Sequence, residues 1–293
     1  MRTLGAELGS SRRRWSLLAA PVWALGLLPL LLFLAAAFYF PVLYTIAESL
    51  QGKAGVGPTL ANYTSFVASR AGLDTLALTL FLSIAATILA VGFCLPLGLA
   101  LRRRFRGKQA ILFLTMLPII IPTLVGALGL LILYDRTGWL NFFLVHVLHV
   151  VHEPLLIDYT IPGLVLFYVW MFFPYGALVI LSGLSAIDPA LEEAGRVMGA
   201  PPLVVFRRIL LPLLRPSLLA GAILIFVQCF GAFSVPLIAG GNYQPIAVRI
   251  YTVATVFLDW NRASAMAVVM GIIQCVLVIA YQRANRAGGS TTL

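Results

Sequence analysis

The chain has 293 residues, of which 61% are hydrophobic and only 10% charged, and its mean hydropathy is +1.01. This composition lies far from that of soluble domains and predicts a membrane protein. We attribute the net charge of +10 to membrane topology and anionic headgroups, and expect the lipid bilayer rather than nucleic acid as its partner.

Six apolar stretches are each about 20 residues or longer, which is enough to cross a hydrocarbon core about 30 Å thick as helices. Lipid offers the backbone no hydrogen-bond partners, and no strand alternation suggests a barrel. We therefore predict an all-α membrane protein, with tails at 1–22 and 283–293 around one domain at 23–282. Its predicted spans are 23–46, 76–101, 110–134, 161–184, 216–239 and 263–282. The first could instead be a signal peptide, but its apolar run is longer than a signal h-region, which favours a retained helix.

Positive charges divide unevenly between the loops. With a cytoplasmic N-terminus and alternating spans, fifteen of the 20 Lys and Arg residues fall inside: Arg2, Arg12, Arg13, Arg14, Arg102, Arg103, Arg104, Arg106, Lys108, Arg196, Arg207, Arg208, Arg215, Arg283 and Arg286. The outside holds Lys53, Arg70, Arg136, Arg249 and Arg262. This bias follows the positive-inside rule, so we expect both termini in the cytoplasm.

Two regions of the predicted fold carry special features. Pro118 and Pro122 predict a kinked or locally unwound third span. Residues 135–160 are read as an external helix at the membrane interface, with His146, His149 and His152 spaced along one side. Three imidazoles could gather a metal, but the polar face of an interfacial helix explains them as well, and we predict no metal site.

A charged loop at 185–215 separates the fourth and fifth spans and contains a short predicted helix. Asp188 is a suitable N-cap before Pro189, and Gly199 is a suitable left-handed stop. Its apolar face comprises Ala190, Leu191, Ala194, Val197 and Met198, which we expect to pack on a second short helix near 203–211 or on the bundle. The opposite face comprises Glu192, Glu193, Gly195 and Arg196, which either meets a partner or is solvated, with Glu192 and Arg196 paired.

This loop resembles the cytoplasmic signature of integral membrane subunits of binding-protein-dependent ABC importers. That signature is Glu-Ala-Ala, three residues, Gly, nine residues, then Ile-x-Leu-Pro. The chain has Glu193-Ala194-Gly195, then Gly199, then Ile209 to Pro212, with Gly195 replacing the second alanine. Further stretches are similar to the polyamine, ferric-iron and phosphonate branch: LPIIIPTLVGA, GWLNFFL and FGAFSVPLIAGGN.

The resemblance implies a type I permease subunit in a bacterial inner membrane, without a cofactor or a reaction of its own. It implies a coupling helix in the 185–215 loop that docks on a separate ATP-binding subunit, which binds ATP. The residues implied in that contact are Glu192, Glu193, Ala194, Gly195, Arg196, Gly199, Ile209 and Pro212. It also implies a like or identical second permease, and an external binding protein that delivers a small solute. The chain has no GxxxxGK[ST] sequence, so it does not itself hydrolyse ATP by a P-loop.

Polar and aromatic residues inside the spans are candidates to line a translocation pathway: Tyr168, Trp170, Tyr175, Gln228, Ser234 and Gln274. A secondary transporter or channel working without an ATPase is the alternative, although the predicted spans contain no acidic residue for ion coupling. A non-transporting membrane scaffold is a third possibility.

Overall fold

The structure is a computed structural model that describes residues 26–52, 57–103 and 105–289. Within these ranges the chain forms helices, turns and one isolated bridge between Gln51 and Pro58. The helices are α1 Gly26–Ser49, α2 Ala61–Ala68, α3 Arg70–Arg102, α4 Lys108–Ile120, α5 Thr123–Tyr134, α6 Trp139–Phe142, α7 Ile161–Ala186, α8 Pro189–Val197, α9 Pro202–Phe230, α10 Ser234–Ala239, α11 Ile246–Thr255 and α12 Trp260–Gly289. The predicted N-terminal tail lies outside the described residues.

Six segments of the described chain are long and apolar enough to cross a membrane. Five of them are α1, α3, α7, α9 and the Trp260–Ala280 part of α12, and each overlaps a predicted span. The sixth segment is Thr123–Val147, which follows the shorter apolar helix α4. The predicted all-α architecture with six membrane-spanning helices is therefore confirmed.

The third crossing is better described as α4 followed by α5. Thr123–Val147 is interrupted after Tyr134, where Asp135 and Arg136 begin a turn closed by the Gly138 N–H donating to the Asp135 carbonyl at 2.8 Å. In contrast, α4 and α5 together contain about 25 helical residues, or about 37 Å of helix. They are separated only at residues 121–122, where the backbone leaves the helical conformation. The predicted break is at Pro122, since α4 continues through Pro118.

The fifth crossing differs from the sequence prediction in two ways. No separate short helix forms at 203–211, because Pro202–Val205 continues through a π-helical turn at Phe206–Leu210 into the rest of α9. The predicted span 216–239 is also discontinuous. α9 ends at Phe230, and α10 starts after a break at residues 231–233.

The core lies where α3, α7 and α9 pack together. Small residues allow this close approach: a Cβ on Gly176 would come 2.3 Å from the Ile225 Cδ1 atom, and one on Gly183 would overlap Ser217. By contrast, α1 is exposed over most of its length, as expected for a helix that faces lipid or another chain. The three central helices form the scaffold that positions both ends of the protein.

The two ends of the bundle have different structures. At one end, here called the Arg102 end, α3 and α7 finish, α4 and α9 begin, and α8 lies between α7 and α9. At the other, the Asn141 end, the α5–α7 connection is held by the buried Asn141. Its amide nitrogen donates to the carbonyls of Asp135 and Leu155 at 2.9 and 3.0 Å, and its oxygen accepts from the Leu155 N–H at 2.7 Å.

The long external helix predicted for 135–160 does not form. Helix α6 and the π-helical turn that follows it end at Val147, and His149 has a left-handed backbone with φ of 53°. His146, His149 and His152 therefore do not share one helical face. Among the described residues, no group of three His, Cys, Asp or Glu side chains is arranged to hold a metal ion.

Candidate functional site

Helix α8 is defined at both ends by the residues that the sequence indicated. The Asp188 carboxylate accepts a hydrogen bond from the Ala190 N–H at 2.9 Å, which satisfies one of the free amides of the first turn. At the other end Gly199 has φ of 79°. Its N–H donates to the Arg196 carbonyl at 2.9 Å, and the Ala200 N–H donates to the Gly195 carbonyl at 3.1 Å. These two bonds form a Schellman motif, for which glycine is the favoured residue.

An ion pair fixes α8 to the end of α3. The Arg102 Nη1 atom lies 2.6 Å from the Glu192 Oε1 atom, and the two side chains are only 15% and 17% exposed. The Arg102 Nη2 atom also donates to the Ile187 carbonyl at 2.6 Å, just before α8 begins. Charge-assisted bonds in a partly dry site are stronger than those between exposed groups, so α8 is held firmly.

Gly195 brings α8 against the first turns of α9. A Cβ at this position would lie 3.0 Å from the Ile209 Cδ1 atom and 3.2 Å from a Val205 methyl. Both contacts would be tighter than usual, so the glycine explains how closely the two helices approach. This also accounts physically for the departure from the family signature, which has alanine here.

The predicted orientation of α8 is wrong. Glu192 and Gly195 face the protein, whereas Val197 and Met198 are 87% and 86% exposed and Leu191 is also exposed. The sequence pattern favoured an inward orientation of the apolar residues. It did not reveal the ion pair with Arg102, which turns Glu192 toward the protein instead. The exposed face of α8 therefore combines apolar side chains with Glu193, Ala194 and Gly199.

The remaining signature residues lie near α8. Glu193 and Arg196 line an open cleft of 590 Å³ together with Arg103 and Phe206, and the Arg196 Nη2 atom lies 3.5 Å from the Glu192 Oε2 atom. This confirms the predicted pairing of Glu192 with Arg196. Ile209 packs over Gly195 within α9, and Pro212 lies further along the same helix.

The aromatic pathway candidates lie mainly in the core of this conformation. Tyr168 is 1% exposed and packs edge to face against Phe172, with ring centroids 5.7 Å apart. Tyr175 and Trp170 are half-buried at the edge of the same cluster. Tyr168 therefore has a packing role here.

The polar candidates gather around the two helix breaks. The Ser234 hydroxyl lies 3.1 Å from the Thr123 hydroxyl, which joins the start of α10 to the start of α5. Gln274 of α12 lies against Gly231, since a Cβ there would be 3.3 Å from the Gln274 Nε2 atom. Gln228 is half-buried one turn before this break. The structure thus places hydroxyl and amide groups where the third and fifth crossings are interrupted.

Sequence reasoning missed three residues that organise these regions: Arg102, Asn141 and Thr79. Arg102 was counted only among the positive charges that set the membrane orientation, and Asn141 and Thr79 were given no role. The Thr79 hydroxyl accepts from the Ile246 N–H at 2.8 Å across 167 residues, which fixes the start of α11. The signal available in the sequence was a polar residue within an apolar span. Its hydrogen-bond partner, Ile246, could not be identified from the sequence.

Comparisons with known proteins agree with this architecture. A family model described as "Binding-protein-dependent transport system inner membrane component" matches residues 92–287, about two thirds of the chain. The chain is 28% identical to the spermidine/putrescine transport system permease protein PotB of Escherichia coli over 235 residues, covering 78% of this chain and 83% of that protein. It is 30% identical to the ferric transport system permease protein FbpB of Actinobacillus pleuropneumoniae over 208 residues, covering 70% of this chain but only 29% of that longer protein.

A further relative and a solved structure extend the comparison. The thiamine transport system permease protein ThiP of Salmonella typhimurium is 29% identical over 189 residues, or 64% of this chain and 34% of that protein. The crystal structure of a bacterial ABC transporter involved in alginate import matches with a TM-score of 0.76 at 17% identity, covering 96% of this chain and 99% of its own. At 17% identity this match supports a shared fold only. The chain belongs to the binding-protein-dependent transport system inner membrane components, the multi-pass permeases of ABC importers.

Proposed function

We propose that this chain is the permease subunit through which an ATP-driven importer moves a small solute, and that α8 is its coupling helix. The observation that carries the proposal is a short helix held rigidly on one side and exposed on the other. Arg102 and the close contact at Gly195 hold the inner side, while Glu193, Val197 and Met198 remain available. A helix intended only to close a loop would not expose its largest apolar side chains to water.

The exposed face suits a groove on a separate ATP-binding subunit. Val197 and Met198 supply apolar area, and methionine adapts well to a surface that moves. Glu193 supplies a carboxylate for charge-assisted hydrogen bonds from the groove, and Ala194 keeps the approach close. Closure of the ATP-binding subunits would displace α8, and α3 and α9 would move with it because they contact it directly.

Charge supports placing the Arg102 end in the cytoplasm. Arg102 ends α3 and Lys108 begins α4, and Arg103 and Arg106 lie in the short connection between them, beside the loop that carries α8. This is the pattern of the positive-inside rule, and it puts α8 on the side where ATP is available. Both termini are then cytoplasmic.

A second permease and an external binding protein complete the proposed importer. The second copy, identical or merely similar, would supply the other half of the pathway and cover part of α1, which is exposed in this chain. The binding protein would dock at the Asn141 end, on the α5–α7 connection and on 240–262. We propose a solute of the polyamine, ferric-iron or phosphonate class. Polyamines should be tested first, because the PotB similarity covers most of both chains.

The pathway is proposed to pass the two helix breaks. Thr123, Ser234, Gln228 and Gln274 offer hydroxyl and amide groups at membrane depth, where an irregular backbone is tolerated if it lines a cavity or is covered by protein. Because none of these side chains is ionised, selection of the solute would rest mainly with the binding protein.

Reversing the charge of Glu193 tests the proposal. Glu193→Lys should abolish uptake and reduce co-purification of the ATP-binding subunit, while the chain stays in the membrane. Glu153→Lys makes the same charge change at the Asn141 end and should leave that co-purification intact. Uptake that continues without any ATPase would instead indicate a secondary transporter or channel, and a deletion without an uptake phenotype would indicate a scaffold. Mass spectrometry of the ligand on the co-purified binding protein would identify the solute.

A further inference from the structure

A second cleft at the Arg102 end is built differently from the one beside α8. It has a volume of 330 Å³ and lies between α3, α4 and α7. Its apolar wall includes the half-buried Leu112 and Leu181 and the buried Leu101 and Leu184. Its polar rim consists of Arg102, Lys108 and Ser185. The cleft thus joins an apolar wall, continuous with membrane-spanning helices, to a cationic edge where those helices end.

Of the two cationic groups on the rim, only Lys108 has a charge that no described residue pairs with. The Arg102 guanidinium is engaged by Glu192 and by the Ile187 carbonyl, and the Ser185 hydroxyl donates to the Leu181 carbonyl at 2.8 Å. Lys108 is half-buried, and its ammonium makes no hydrogen bond or ion pair with any residue that the structure describes. Because no described residue neutralises this ammonium, an anion at this point would be stabilised.

None of the cleft's lining residues is acidic, and the carboxylates that adjoin it already have partners: Asp188 accepts from the Ala190 N–H, and Glu192 pairs with Arg102. The connection from α3 to α4 adds the exposed Arg103 and Arg106. Basic pockets of this kind between membrane helices suit the headgroups of anionic lipids. A free phosphate would match the charge but would leave the half-buried Leu112 and Leu181 uncovered.

We propose that this cleft binds one anionic phospholipid, whose phosphate pairs with Lys108 and whose acyl chain lies along the leucine wall. Ile187 and Pro189 also line the cleft, so the bound lipid would touch the segment from which α8 starts. The proposal requires that α3, α4 and α7 enter the bilayer, but it does not depend on the direction of transport or on an ATPase. Its failure would therefore leave the proposed function untouched, and the reverse also holds.

The test is lipid retention by the full-length permease, purified with its partners. The complex is reconstituted in nanodiscs of phosphatidylethanolamine with a minority of phosphatidylglycerol. It is then released from the nanodiscs, and native mass spectrometry measures which lipids remain bound. Lys108→Gln should lower the relative affinity for phosphatidylglycerol about fivefold, the loss expected for one lysine at a membrane surface. Lys108→Arg should retain the lipid. Arg208→Gln is the matched control, because it removes one exposed charge at the same end without lining the cleft.

A second variant separates a built cleft from general attraction to an anionic surface. Leu112→Trp keeps every charge but fills the apolar wall, and it should also reduce phosphatidylglycerol retention. Three outcomes would overturn the proposal: equal retention by Lys108→Gln and the unmodified chain, an equal loss from Arg208→Gln, or a Lys108-dependent adduct with the mass of inorganic phosphate.

Discussion

The guanidinium of Arg102 and the carboxylate of Glu192 meet at 2.6 Å between the end of α3 and the first turn of α8. The two residues are 90 positions apart, and the contact makes α8 follow α3 as well as the helices that precede and follow it in the chain. In an isolated surface loop such a helix would be marginal, since nine residues are too few for stable helix formation in water. The ion pair therefore contributes to the existence of α8 and to its direction.

Exchanging the two charges should separate their pairing from their individual roles. Arg102→Glu and Glu192→Arg should each destabilise the docked position of α8 by about 2 kcal/mol, since a partly buried charged group loses its ion-pair partner. Both should reduce uptake. The double variant should recover part of the loss, as measured by uptake in membranes with equal amounts of protein. No recovery would mean that the contact does not position α8.

Met198→Asp should weaken association with the ATP-binding subunit about tenfold, as expected for a contact residue near the centre of an interface. The folded permease should change in stability by less than about 0.5 kcal/mol, because the side chain is 86% exposed. Pull-down of the ATP-binding subunit measures the first effect, and thermal denaturation measures the second. Met198→Leu keeps the apolar area and should bind normally. Full association of the aspartate variant would exclude this face from the interface.

Gly195→Ala and Gly195→Leu should differ in their effect on uptake. Alanine favours the helix by about 1 kcal/mol, which offsets the tight contacts that its methyl makes with Val205 and Ile209. Uptake should therefore stay near its normal level. Leucine cannot fit between α8 and α9 and should lower uptake severely, with the chain still inserted in the membrane. Normal uptake by the leucine variant would show that the close contact is dispensable.

Cysteines at positions 123 and 234 should form a disulfide upon mild oxidation, since the native hydroxyls lie 3.1 Å apart. If the third and fifth crossings move relative to each other during transport, the crosslink should stop uptake, and reduction should restore it. Thr123→Cys alone and Ser234→Cys alone serve as controls and should transport under oxidising conditions. Undiminished uptake by the crosslinked protein would place the moving parts elsewhere.

The membrane spans and the ends of α8 could be predicted because their signals are local. Length and hydrophobicity identify spans, and Asp188 and Gly199 make hydrogen bonds to neighbours two or three residues away. The break at Pro122 was visible for the same reason, because proline perturbs the helix in which it stands. The break at 231–233 has no proline and was not predicted.

The orientation of α8 could not be predicted because it depends on a distant residue. The apolar pattern alone favoured burying Val197 and Met198, whereas the pair between Arg102 and Glu192 turns that face outward. Asn141 was missed for a related reason, because its amide oxygen accepts from Leu155 only after the chain has turned back. The first pairing joins residues 90 positions apart through the packing of the bundle, and the second joins residues 14 positions apart across a turn that no local pattern indicated.

The continuous course of α9 has a mechanical consequence. It runs from Pro202, beside α8, to Phe230, and its 29 residues form a helix about 43 Å long. Since the helix is continuous, a push of a few ångströms on Val205 and Ile209 would be passed along it to its far tip, with bending concentrated at the π-helical turn and at Pro216. That tip ends at Gly231, next to Gln274, where the fifth crossing is interrupted. Movement of α8 driven by nucleotide binding would in this way reach the interior of the membrane domain along a single helix, without passing through a loop.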